Sequence, residues 1–286
     1  MNYTCFIHPE DESALKTLKA IPVLPAIIKK VMDVGAEQLY KGLNMASKVR
    51  LSPTQLPRLY NILPPICERL EIKEPEFYLE MSPIPNAFAF GDTQTTITIT
   101  SALVEMMTEE ELIAVVAHEC GHIACRHMLY HTLAQVLSSA TGLFEAFVNL
   151  ATPIDYALKY WQRKSELSCD RAAAYIVGPK HTASMLSRLA GGPKSITSEL
   201  NLEELAHQAD LYDALCKSGL WNKTLQTYAV IDMDHPFTSV RMREMLKWTA
   251  SREYKKMIEC YPVCPKCRRA IDEHWGFCQF CGNKLK

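Results

Sequence analysis

The chain lacks a charge imbalance. Across 286 residues, 31 Lys and Arg stand against 32 Asp and Glu, a formal net charge of −1. No global field therefore marks a nucleic-acid or membrane partner. A uniformly apolar run is lacking too. The strongest candidate, Leu133 to Ala151, alternates Leu133, Val136, Leu137, Ala140, Leu143, Phe144 and Phe147 with Gln135, Ser138, Ser139, Glu145 and Asn149. That is a striped helix rather than a transmembrane span. Its polar face is short of the Lys and Arg of membrane-surface helices, so packing within the fold is expected, with at most weak membrane-surface contact. The opening Met1 to Glu12 has neither the basic nor the apolar region of a signal peptide, which makes the cytoplasm the expected compartment. Repeats and low-complexity tracts are missing. The eleven cysteines are odd in number, which argues against a closed disulfide framework and favours metal binding where they cluster.

What is present is ordinary for a globular protein: 48% hydrophobic and 22% charged residues, enough for a large domain and a small one. Apolar spacing predicts helix over Lys19 to Lys48, its start delayed by Pro22 and Pro25. Ser52-Pro53-Thr54-Gln55 reads as a helix start, with a break at Pro64-Pro65. Phe77-Tyr78-Leu79 reads as a strand. Asn86 to Gly91 and Thr95 to Thr100 form a hairpin about Gly91-Asp92. Thr108-Glu109-Glu110-Glu111 is a capping box opening the helix that continues through Leu112 to Ala117. Tyr156 to Val177 is helical, Gly191 to Ser198 is a loop, and helices resume near Leu200.

The helix opened by the capping box carries His118-Glu119-Cys120-Gly121-His122, an H-E-x-x-H pattern. Residues four apart lie about 40° apart around the axis, so both imidazoles can meet one zinc ion. Glu119 then faces the open coordination position, where it can take a proton from the water that attacks a peptide carbonyl. His127 and His131 are also four apart. On a continuous helix they lie about 180° and 220° from His118 and face away, as solvated or packing residues. Two glutamates compete to be the third ligand. Glu145 sits on the polar stripe with Asn149. Glu166 has Asp170 one turn on, able to orient a ligand histidine through its other ring nitrogen, and alanine-rich surroundings favour it.

Four segments together resemble the HtpX-type zinc metallopeptidases, metallopeptidase family forty-eight. They are Pro85-Asn86-Ala87-Phe88-Ala89-Phe90-Gly91, then H-E-C-G-H, then Ser165-Glu166-Leu167-Ser168-Cys169-Asp170-Arg171-Ala172-Ala173, then His235-Pro236-Phe237-Thr238-Ser239-Val240-Arg241. The resemblance covers roughly Pro75 to Lys247. It implies Glu166 as third zinc ligand, Asp170 as its supporting carboxylate, and His235 and Arg241 as groups that stabilise the oxyanion or close the site. It also makes the Thr95 to Thr100 strand the edge on which an extended peptide pairs, with Asn86, Ala87, Thr96 and Thr98 binding substrate. Many relatives carry transmembrane helices near the H-E-x-x-H helix. The striped Leu133 to Ala151 segment stands there in this chain, so a soluble peptidase is expected.

Past Cys260 the composition turns to Cys, Pro and basic residues. Cys264-x-x-Cys267 and Cys278-x-x-Cys281 supply four thiolates for a closed structural zinc site. The remaining cysteines, Cys5, Cys67, Cys120, Cys125, Cys169 and Cys216, read as small buried hydrophobes. The expected protein is α+β and mainly α. Residues 1–255 form a zincin-like metallopeptidase domain with a small antiparallel sheet, its helical part at 1–72 and its core at 73–250. A four-cysteine zinc ribbon follows at 260–286. The expected function is zinc-dependent hydrolysis of peptides or unfolded protein segments, with one catalytic and one structural Zn2+. The ribbon would dock a protein rather than nucleic acid. The rival reading is a non-catalytic, zinc-stabilised adaptor acting through the ribbon.

Overall fold

The computed structural model describes residues 3–33, 35–139, 148–219 and 237–260, with 262, 264–266, 271, 274–278 and 282–286 of the tail. The amino-terminal expectation of one helix resolves into three: α1 (Pro9–Lys19), α2 (Leu24–Asp33) and α3 (Ala36–Ser47). Strand β1 (Val49–Arg50) follows. Ser52 does not start a helix. It closes a turn, accepting the amides of Thr54 and Gln55 on its hydroxyl, and α4 (Pro57–Tyr60) begins after it. Pro64 and Pro65 open α5 (Leu63–Leu70) instead of breaking it, since proline in a first turn forfeits no hydrogen bond.

Strands β2 (Glu76–Glu80), β3 (Ala87–Phe90) and β4 (Thr96–Thr100) complete a sheet of order β1-β2-β4-β3. The hairpin expected about Gly91 is present, antiparallel with Phe88 opposite Thr98. The sheet is mixed rather than antiparallel, because β2 runs parallel to β4. Strand β4 lies between two neighbours and all five of its residues are buried, so Thr95 to Thr100 is neither the half-buried strand that its alternation suggested nor the edge that the resemblance implied.

The helices are α6 (Ser101–Met106), α7 (Glu109–Ala124), α8 (Met128–Ser139), α9 (Val148–Val177), α10 (Pro179–Gly191), α11 (Lys194–Thr197), α12 (Leu202–Lys217), α13 (Thr238–Thr249) and α14 (Arg252–Cys260). The capping box is formed in full: the Thr108 hydroxyl accepts the Glu111 amide and the Glu111 carboxylate accepts the Thr108 amide. The main core joins the sheet to α5, α7, α9, α10 and α13. A smaller cluster around Trp161 joins α1, α2, α8 and the first half of α9. Part of the striped Leu133 to Ala151 segment, residues 140–147 with Glu145, lies outside the described residues. No helix among those described is long and apolar enough to cross a membrane.

Candidate active site

The site begins with how closely two helices approach. Gly121 sits where α7 crosses α9: a Cβ there would lie 2.9 Å from Ala172 Cβ and 3.2 Å from Cys169 Cα. Ala172, Ala173 and Ala174 are fully buried and keep the facing side of α9 small. This close crossing brings the carboxylates of α9 to the imidazoles of α7.

His118, Glu119 and His122 are each 3% exposed and Glu166 is 2% exposed. Nε2 of His118 lies 3.3 Å from one Glu166 oxygen, and Nε2 of His122 lies 3.4 Å from the other. Donors held 2.0–2.1 Å from a tetrahedral ion are separated by about 3.4 Å, so the spacing suits zinc. The electrostatics suit a cation as well. Burial alone would depress the His118 imidazole, but the Glu166 charge and the Asp170 hydrogen bond push it up to about 10. Burial dominates at His122 and lowers it, keeping that ring neutral as a ligand must be.

Asp170 is 3.0 Å from Nδ1 of His118, the nitrogen turned away from Glu166. Arg241, from α13, does not reach toward a reacting carbonyl as the motif implied. Its Nε and Nη2 bond both Asp170 oxygens at 2.8 and 2.7 Å, and its Nη1 lies 2.9 Å from Glu166. A guanidinium fully engaged by two buried carboxylates holds them in place, and is not aimed at an oxyanion. Burial pushes the Asp170 carboxyl up, yet Arg241 and His118 together hold it below the usual range.

His127 and His131 require a second correction. Helix α7 ends at Ala124 and Arg126 takes a left-handed φ of 59°. The amides of Arg126 and His127 then bond the carbonyls of Ile123 and His122 at 3.1 and 2.9 Å, a Schellman ending. The chain doubles back and lays both rings beside His122, with centroids 5.4 and 4.4 Å away. They are neither opposite it nor solvated: His127 is fully buried. Glycine is the usual left-handed residue at such an ending, so Arg126 gave no warning of it.

Cys169, read from the sequence as a small buried residue flanking the site, lies beside it. Its sulfur lies within 4.8 Å of donor atoms on both His118 and His122. It lies 3.7 Å from His127 Nδ1, and burial pushes its thiol far up, away from the thiolate that a metal needs. Glu166 is the group that places an oxygen 3.3 and 3.4 Å from the two Nε2 atoms. Cys67, Cys120, Cys125 and Cys169 are buried as expected, whereas Cys5 is exposed and Cys216 half-buried. His235 lies outside the described residues.

Thr96 and Thr98 are buried within β4, whose main chain is paired on both sides, and cannot receive a peptide strand. The edges are β1 and β3, and β3 begins at Ala87, directly after Asn86. The Asn86 carbonyl accepts the Thr100 amide at 3.0 Å, so alternation turns the main chain of Ala87 and Ala89 to the outer side. There the Ala87 amide donates to Asn86 Oδ1 at 2.9 Å, and the Ala89 carbonyl accepts from Gln135 Nε2 at 3.4 Å. In the tail, Cys264 and Cys278 are buried and outside any disulfide, and Gly282, at φ 70°, donates its amide to the Cys278 carbonyl. Cys267 and Cys281 lie outside the described residues.

Two imidazoles and a glutamate on one helix, met by a carboxylate from a second, define a metallopeptidase. The chain belongs to Peptidase family M48, whose profile matches residues 53–249. Among curated relatives, the chain is 35% identical over 260 residues to the Plastoglobule-localized metallopeptidase 48, chloroplastic, of Arabidopsis thaliana, covering 89% of this chain and 75% of that one. It is 24% identical over 219 residues to a Protease HtpX homolog of Campylobacter concisus, covering 65% and 73%. To Protease HtpX homolog 2 of Methanosarcina mazei it is 27% identical over 169 residues, covering 49% and 58%. No solved structure matches the chain.

Proposed function

We propose that the chain is a zinc-dependent endopeptidase acting on peptides or unfolded protein segments. His118, His122 and Glu166 hold the catalytic zinc. The observation that carries this reading is the pair of 3.3 and 3.4 Å distances from the two Nε2 atoms to the Glu166 carboxylate. Zinc, when bound, supplies Lewis acidity and lowers the pKa of water. Glu119, the residue after the first histidine, takes the proton of the attacking water and returns it to the leaving amine. Asp170 orients His118 from behind, and Arg241 keeps Asp170 and Glu166 in position. The motif resemblance assigns His235 to the oxyanion. An extended substrate pairs along β3, with the main chain of Ala87 and Ala89 exchanging the Asn86 and Gln135 side-chain amides for peptide groups.

The tail forms a second unit, a structural zinc ribbon held by Cys264, Cys267, Cys278 and Cys281 and suited to docking a protein. The burial of Cys264 and Cys278 in so short a segment supports it. We assign the activity to the cytoplasm. The Arabidopsis relative is named for plastoglobules, and fractionation of the native protein distinguishes the two compartments.

The deciding experiment is Glu119→Gln. The variant should retain zinc while its cleavage of an unfolded-polypeptide library falls by about 10²–10⁴-fold. If the unsubstituted, zinc-loaded chain cleaves nothing in such a library, the adaptor reading replaces this one.

A further inference from the structure

The three residues His122, His127 and Asp11 form a buried line that ends on α1, outside the matched profile. Nδ1 of His122 lies 3.3 Å from Nδ1 of His127. Nε2 of His127 lies 3.0 Å from Asp11 Oδ2, a bent approach. Asp11 is 1% exposed. It also takes the Trp161 indole N–H at 2.9 Å on Oδ1 and the Ser168 hydroxyl at 2.5 Å on Oδ2. His131 does not compete for this place, because its Nε2 meets Ser165 at 2.9 Å and its Nδ1 faces Gln162 at 3.4 Å.

The protons can be assigned in one direction only. A histidine that coordinates through Nε2 carries its hydrogen on Nδ1. His122 must therefore donate, and the facing Nδ1 of His127 must accept. His127 is then left with its hydrogen on Nε2, turned to Asp11. Asp11 accepts the indole and hydroxyl donors and faces the His127 imidazole at 3.0 Å. The Cys169 thiol, 3.7 Å from the same His127 nitrogen, is only a weak rival donor for its single lone pair.

We infer that His127, backed by Asp11, is a positioning residue for the zinc ligand His122, as Asp170 backed by Arg241 is for His118. The inference rests on the zinc reading above. Each ligand imidazole then has its own buried orienting group, and the two supports arrive from opposite ends of the chain: Arg241 on α13 and Asp11 on α1. An active site complete in orientation thus includes the amino-terminal helix, which the family profile does not cover.

The test uses the full chain and three substitutions, His127→Leu, His127→Gln and Asp11→Asn. Zinc affinity is measured by competition with a chromophoric chelator, cobalt d–d absorption reports the geometry of the N/O site, and the melting temperature of the metal-free protein reports the fold. His127→Leu, with no acceptor, should weaken zinc at this site by about 10–100-fold. His127→Gln, whose amide oxygen can accept from His122, should recover most of that affinity. Asp11→Asn should show a smaller loss with a shifted cobalt band. Should His127→Leu fail to fold, the near-isosteric Gln and Asn variants carry the comparison through the cobalt band. Equal zinc affinity and unchanged cobalt bands across the variants, with only the metal-free melting temperature lowered, would show a mere tie between helices and overturn the inference alone. Absence of zinc at this site in the unsubstituted chain would overturn the zinc reading and this one with it.

Discussion

Arg241 shows what one side chain does when it is buried between two carboxylates. It is 2% exposed, and Asp170 and Glu166 hold its guanidinium above even its usual range. Truncating one member of such a cluster leaves buried charge uncompensated, at about 3–5 kcal/mol. Arg241→Ala should therefore destabilise the chain by up to that order in chelator, where only the raised His118 imidazole is left to face Glu166 and Asp170. With zinc present the loss should be smaller, because the ion neutralises Glu166. Denaturant unfolding with and without chelator measures both; equal losses would show that Glu166 faces no metal. At this scale the sequence singled out His118, His122 and Glu166, three side chains that the fold brings together. It was misleading about Arg241, because a motif fixes which residue occurs and not which way a guanidinium turns.

Helices carry the next level of the site, and α7 is fixed by side-chain chemistry at its start and by main-chain hydrogen bonds at its end. Its start is fixed by Glu111, which caps Thr108 and accepts Arg188 Nε on both oxygens at 3.0 and 3.1 Å. Burial raises this carboxyl, but the hydrogen bonds from Arg188, Ser184 and Thr108 outweigh it and leave it below the ordinary range. A depressed folded pKa means stability that is fully present above the unfolded value of about 4.3 and is lost as pH falls through the folded value. Glu111→Gln should thus lower the melting temperature most at neutral pH, by about 1.5–3 kcal/mol equivalent, with the gap to the unsubstituted chain closing below about pH 4. A gap independent of pH would remove the ion pair from the account. The start of α7 was legible because Thr-x-x-Glu has a mechanism that the sequence displays. Its end was not, because the left-handed position is Arg126, a residue that normally continues a helix. That single unmarked turn separates the expected arrangement, two histidines pointing away, from the observed one.

For the whole molecule, the sheet shows that Thr95 to Thr100, which the resemblance made a substrate-pairing edge, is an interior strand. Alternation of Thr and Ile in β4 is what a half-buried strand looks like, and β4 is buried on both faces all the same. Its threonines are accommodated by polar partners: Lys48 reaches Thr98, and Thr96 bonds the Phe90 carbonyl. Strand order is set by the parallel β2–β4 pairing, a contact between segments twenty residues apart in register that no local pattern encodes. The proposed division into peptidase and ribbon rests, by contrast, on an abrupt change in composition past Cys260, beyond the residues that the family profile matches. A prediction belongs to that division. Four sulfurs close a zinc site and leave it without an open position, so the ribbon metal has no share in hydrolysis. Cys264→Ser replaces a fully buried thiol that the ribbon reading makes a zinc ligand. The variant should lose one zinc equivalent, and the tail beyond Cys260 should become sensitive to added protease. Hydrolysis of unfolded polypeptide should stay within about two-fold, since the orienting groups of the catalytic site come from α1, α7, α9 and α13. Metal analysis and limited proteolysis read the first two outcomes. Unchanged zinc content would overturn the ribbon, and a loss of cleavage in step with the zinc would make the tail part of the active unit.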